Sequence, residues 1–179
     1  PEDIYCHGTL KIELIRILSQ QVKKTKQGNL FSDTTRISSS TADLSAEPDI
    51  VFVSHQAISE GRVRLVPKST GEPGRYVELE GAPDLIVEIV SDSSVSKDTR
   101  RLPVAYYTAG VREFWLVDAR GDELLFQIHG RGKDKFEPVQ PDEQGFQYSS
   151  VFDCRFRLER TWEKAGRWEF DLEEKTAEK

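Results

Sequence analysis

The chain has 179 residues, 37% of them hydrophobic and 31% charged, a balance that suits one soluble domain with its own core. No apolar run approaches the roughly 20 residues needed to span a bilayer, and the start, Pro1-Glu2-Asp3-Ile4, lacks the basic and apolar regions of a secretory leader. A net charge of -6 argues against indiscriminate nucleic-acid binding but leaves room for a local basic groove. The two cysteines, Cys6 and Cys154, stand far apart without a CxxC spacing, which points to free thiols in a reducing cytoplasm. His7, His55 and His129 show no ligand spacing. The absence of methionine implies a removed initiator or missing upstream residues.

Apolar residues at helical spacing (Leu10, Leu14, Ile17, Leu18, Val22) predict a helix over 8–24, closed by Gln27-Gly28-Asn29. A strand follows at about 34–40. Pro48-Asp49 then opens a short apolar strand, Ile50-Val51-Phe52-Val53. Residues 55–80 read as an excursion with a hairpin around Ser69–Gly74. Its Arg62, Arg64, Lys68 and Arg75 are either a phosphate clamp or an ordinary mixed-charge surface. Pro83-Asp84 opens a second buried strand, 85–90. A Ser/Asp loop leads to a helix ending at Gly110, with Pro103 kinking it or starting a second short helix. Strands at 113–117 and 123–128 follow, then weaker β segments over 134–158 and a charged tail from about 159 that is expected to fray. No linker interrupts the chain, so residues 1–179 are read as one domain.

Glu88 is the most informative residue. A carboxylate within Leu85-Ile86-Val87-Glu88-Ile89-Val90 is costly unless paired, protonated or bound to metal. If the two Pro-Asp strands pair antiparallel, Asp49 approaches Glu88. Asp84 then lies about 13 Å of strand rise away, too far to share an ion. Two adjacent carboxylates repel, and a divalent cation relieves the repulsion. Magnesium, or manganese, suits such oxygen ligands and keeps waters for phosphodiester chemistry. A buried salt bridge to Lys97 or Arg101 is the plainer account of Glu88. For Asp49 the plainer account is a backbone hydrogen bond beside Pro48. His7 fits a capping or packing role, and Glu13 either supports the metal or lies on the surface.

Three blocks together, Glu47-Pro48-Asp49-Ile50-Val51, Gly81-Ala82-Pro83-Asp84-Leu85-Ile86-Val87-Glu88-Ile89-Val90-Ser91 and Ala109-Gly110-Val111-Arg112-Glu113-Phe114-Trp115-Leu116-Val117-Asp118, resemble the Uma-two family. These are restriction-endonuclease-like proteins of the PD-(D/E)xK nuclease superfamily. His7-Gly8 also fits, and the match spans roughly 7–158. The resemblance implies an α/β fold with a restriction-endonuclease-like core, a mixed β-sheet flanked by helices. It makes Asp49 the motif aspartate, Glu88 the acidic residue of the (D/E)xK element, and the Ile89 carbonyl a further metal ligand. Val90 stands where the superfamily has lysine. The family often supplies that lysine from the next helix, after an aspartate that corresponds to Asp98, but the position here is Leu102. The nearest cations are Lys97 and Arg101. The family's serine-proline-serine turn reads Ser91-Asp92-Ser93, and family members usually carry a segment before His7 that contributes an acid.

The expected function is a magnesium-dependent endonuclease hydrolysing DNA, with Asp49 and Glu88 on the metal and Lys97 or Arg101 stabilising charge. By resemblance it acts as a homodimer. The alternatives are a nuclease-fold protein that binds nucleic acid or serves assembly without cutting, and a regulatory oligomer with no nucleic-acid partner.

Overall fold

The computed structural model describes residues 2–176, apart from the side chain of Asp98. A six-stranded mixed sheet forms its centre. In chain order its strands are β1 (Gly28–Ser32), β4 (Ile50–Ser54), β7 (Leu85–Ile89), β8 (Glu113–Asp118), β9 (Leu125–Arg131) and β10 (Phe136–Pro138), and they lie side by side in that order. The β7–β8 pair is parallel and every other pair in this sheet is antiparallel. A four-stranded sheet holds β2 (Arg36–Ser39), β3 (Leu44–Ala46), β5 (Val63–Pro67) and β6 (Tyr76–Gly81). A three-stranded sheet holds β11 (Gln147–Ser149), β12 (Cys154–Glu163) and β13 (Arg167–Thr176). The architecture is α/β, a mixed sheet flanked by helices. Among the described residues no helix is long and apolar enough to cross a membrane.

Strand alternation divides the core in two. Ile50 and Phe52 of β4, Leu85, Val87 and Ile89 of β7, and Trp115 and Val117 of β8 face helix α1 (Leu10–Thr25) and the three-stranded sheet. Val51, Val53, Ile86 and Phe114 point the other way, toward the four-stranded sheet and helix α3 (Leu102–Ala109). Because β4 and β7 are buried on both faces, they read as continuous apolar runs.

The helices follow their local signals. A wide helical turn, Ile4–Thr9, leads into α1 and is capped by Asp3, whose carboxylate accepts from the N–H groups of Tyr5 and Cys6. Pro103 sits in the first turn of α3, where its missing N–H costs nothing, and Gly110 closes that helix at φ 100°. The 55–80 excursion contains a short helix α2 (His55–Ser59) and the β5–β6 hairpin. Gly81 ends that hairpin at φ 119°. A Cβ there would lie 2.1 Å from the Arg62 carbonyl oxygen, so only glycine fits.

The expected fraying tail is instead the second strand of a long hairpin. β12 and β13 pair from Cys154↔Thr176 to Glu163↔Arg167. The alternating charges are its solvent face, while Cys154, Phe156, Leu158 and Leu172 fill the core. At its tip Trp162 and Trp168 meet edge to face at 4.9 Å, with the Arg160 guanidinium 4.1 Å over Trp168. Glu113 ties this sheet to the central one. Its buried carboxyl accepts from Trp115 Nε1, the Ser149 and Ser150 hydroxyls, and the Ser150 and Val151 N–H groups.

Glu13 belongs to the packing of the hairpin. Its carboxylate accepts from the Leu172 N–H at 3.0 Å and from Arg16 at 2.8 Å. Burial works against ionisation, but these donors outweigh it and hold the carboxyl below its ordinary range. A depressed folded-state pKa contributes stability that is present above the ordinary glutamate value and lost as pH falls through the folded one. Glu13→Gln is therefore expected to destabilise by about 0.5–1.5 kcal/mol at neutral pH. Urea melts across the acid limb should show the gap closing as pH falls.

Candidate active site

The antiparallel β4–β7 register runs Phe52↔Leu85, Val51↔Ile86, Ile50↔Val87. One step further it sets Asp49 opposite Glu88. On the other side of β4, Ser32 pairs with Ile50, so the same step sets Asp33 opposite Asp49. Asp33, Asp49 and Glu88 thus stand in a row at the ends of three adjacent strands, with backbones about 5 Å apart from one to the next.

Asp49 is the centre of this row. Its Oδ2 accepts from the Ile89 N–H at 2.7 Å. Its Oδ1 lies 2.7 Å from Lys11 Nζ and 3.3 Å from His7 Nε2. Burial opposes its ionisation, but the bonds from His7, Lys11 and Ile89 outweigh that cost and hold it below the usual carboxylate range. Lys11 also reaches Asp33 Oδ1 at 2.7 Å. Its ammonium is desolvated, yet the two carboxylates more than restore the charged form. His7 is buried between Asp49 and Glu2, whose Oε2 lies 2.9 Å from its Nδ1, and the bond to Asp49 raises its pKa against the cost of burial. Glu88, 4% exposed, accepts a hydrogen bond from the Tyr106 hydroxyl of α3.

Local sequence explains these placements. Lys11 follows Leu10 at the edge of the buried stripe of α1, so its long stem passes core residues while its head reaches the strand ends. Asp33 and Thr34 have positive φ values, 20° and 61°, in the turn after β1, a conformation uncommon for residues other than glycine.

Asp84 lies at the opposite end of the β4–β7 pair. It accepts from the Ser54 N–H at 2.7 Å and pairs with Arg62 at 2.9 Å and Arg112 at 3.4 Å. Arg62 also pairs with Glu60, Arg64 with Glu80 and Arg75 with Glu72, so most of the basic excursion is matched to carboxylates. Lys97 and Arg101 are exposed on the wide turn before α3, and neither forms an ion pair with a described residue. The side chain of Asp98, on the same turn, lies outside the described residues.

The cation that meets Asp49 is thus Lys11, with His7 beside it. Lys11, Asp33 and Glu2 carry no signal of their own in the sequence that singles them out. What signal there is lies in context: a lysine one position after the first buried leucine of a helix that opens with His7-Gly8.

A model of the Uma2 family, described as "Putative restriction endonuclease", matches residues 1–161. The chain belongs to the Uma2 family. Among solved structures, a protein from Anabaena variabilis described as "a putative nuclease belonging to DUF820" is similar over 85% of this chain and 75% of its own length, at a TM-score of 0.60 and 19% identity. That likeness shows a shared fold. Among curated proteins none matches. In this Uma2 chain the matched span includes the β4–β7 pair and the strand-end acids.

The Lys11–Asp49 pair is enclosed, with 12% and 13% of the two side chains exposed, so removing one partner leaves the other poorly compensated. Lys11→Met is expected to destabilise the fold by about 1–3 kcal/mol. Adding Asp49→Asn in the same chain should recover part of that loss. Denaturant unfolding of both variants checks it; full additivity of the two losses would show that the pair is not coupled.

Proposed function

We propose that this protein is a metal-dependent nuclease that hydrolyses DNA phosphodiester bonds at the Asp49–Glu88 strand ends. The observation that carries the reading is Lys11 Nζ, 2.7 Å from the motif aspartate on a strand that pairs with the Glu88 strand. Hydrolysis of an anionic ester needs oxygen ligands and a fixed positive charge where negative charge develops; the strand ends offer Asp49 with Lys11 beside it and, one strand over, Glu88.

The donor set suits magnesium or manganese, since the Asp49 and Glu88 carboxylates and the Ile89 carbonyl are all hard oxygen ligands. A carboxylate offers about four acceptor positions; three at Asp49 are taken by Lys11, His7 and Ile89. A bound cation would supply Lewis acidity and an activated water. Asp49 and Glu88 would hold it, His7 would fix the angle of the Asp49 carboxylate, and Tyr106 would do the same for Glu88. Lys11 would offset charge on the transferring phosphate. Lys97 and Arg101, exposed on the turn before α3, would contact flanking phosphates, which position the strand rather than take part in chemistry. A homodimer would bring two such sites to the two strands of a duplex. The free thiols, Cys6 and Cys154, suit a cytoplasmic setting.

A second reading is binding of nucleic acid without cleavage. It is favoured by the pairing of Lys11 with both Asp33 and Asp49, which already offsets its charge.

Two assays separate these readings. Magnesium or manganese is expected to raise the melting temperature of the wild type by mass action, and the shift should vanish in Glu88→Gln. Cleavage of single-stranded and duplex DNA should be lost in Glu88→Gln and fall about 10²–10³-fold in Lys11→Ala, with the metal-induced melting shift kept. Lys97→Ala and Arg101→Ala should weaken DNA binding and its salt dependence more than turnover. Binding of DNA with no metal-dependent cleavage by the wild type would favour the second reading. Cleavage undiminished in Lys11→Ala would refute the role given to that lysine.

A further inference from the structure

The strand-end acids leave the other end of Glu88's surroundings unexplained. Glu88 lies on the α3 face of the central sheet, and its neighbour in the parallel register on β8 is Leu116. Leu116 is part of the floor of a cavity of about 310 Å³ that opens between α3, β8, β9 and β10. This volume is at the small end of the range for organic ligands.

The lining is aromatic within and charged outside. Phe114, His129 and Phe136 form a contiguous ring wall, with Phe114–His129 centroids 5.6 Å and Phe114–Phe136 centroids 5.7 Å apart. Tyr107 meets Phe136 edge to face at 5.5 Å. It is fixed by its hydroxyl, which donates to the Gly132 and Lys133 carbonyls, and by Arg131 over its ring. Arg100 and Lys135 stand exposed in the lining, with one carboxylate, Asp134, next to Lys135. Arg100 belongs to the same turn as Lys97 and Arg101, and of these three it is the one that lines the cavity.

We infer that this cavity seats the base of a nucleotide, with Arg100 and Lys135 on its phosphate. A flat aromatic group with an anionic tail matches a slot of ring edges and an imidazole opening onto cations. A fully stacked duplex could not offer a base to it, so the ligand is an unpaired or extruded nucleotide. The choice of a nucleotide rests on the nuclease reading, because the cavity floor adjoins the strand that carries Glu88. A base held there fixes the path of the backbone past the acids and favours single-stranded or distorted substrates.

The test uses the whole protein in EDTA, so that binding is read without cleavage. A short single-stranded oligodeoxynucleotide carrying 2-aminopurine is titrated by fluorescence, with deoxyadenosine monophosphate as the free-nucleotide arm. Saturable quenching is expected, weakened tenfold or more in Leu116→Trp, which fills the floor. Val104→Trp, at an exposed position on the rim, should do the same without touching the core. Competition by the free nucleotide at similar concentration assigns the slot to mononucleotides; competition only by the oligonucleotide assigns it to a strand. Quenching unchanged in both tryptophan variants, or absent in the wild type, overturns the inference. Absence of metal-dependent cleavage by the wild type, with this binding intact, would instead count against the nuclease reading alone.

Discussion

The antiparallel register between β4 and β7 is the constraint from which the rest follows. It is fixed because both strands are buried on both faces. A slip of one residue would exchange the residues facing α1 for those facing α3 and would carry Glu88 into the wrong core. With the register locked, Asp49 must end beside Glu88 and Asp84 must end at the other side of the sheet. The two Pro-Asp strands are alike in sequence, yet the pairing assigns their aspartates to opposite ends. One joins Lys11 and His7; the other joins Arg62 and Arg112.

At the acid end the molecule assembles parts from distant segments. Lys11 and His7 come from the first helix and the turn before it, Asp33 from the turn after β1, Asp49 from β4 and Tyr106 from α3. Ionised carboxylates at strand ends would repel one another in a half-buried setting, and Lys11 bridges two of them. The same charge that stabilises the fold stands where a phosphate would need it. On the proposed reading, stability and chemistry draw on one ammonium group, and its removal should be felt in both.

Much of this was legible from residues alone. Leu10, Leu14, Ile17 and Leu18 announced α1, Gly110 announced the end of α3, and the apolar runs after Pro48 and Pro83 announced β4 and β7. Glu88 stood out because burial of a carboxylate demands a partner. Lys11 did not, because a lysine on an amphipathic helix is ordinarily solvated, and only the docking angle of α1 turns it toward β4. Local patterns do not encode that angle. The β12–β13 hairpin was missed for a related reason. Its alternating charges match a solvated tail as well as the outer face of a strand, and the deciding residues, Phe156, Leu158 and Leu172, gain meaning only against Trp115 and Phe152 in the folded core.

The central claim is that Asp49, Glu88 and Lys11 form one cation-dependent site. Anomalous diffraction from crystals soaked in manganese tests it most directly. The account predicts a single strong peak between the Asp49 and Glu88 carboxylates, within ligand distance of both, with Lys11 Nζ beside it. A peak at another carboxylate cluster, or none at this position while the protein remains folded, would contradict it.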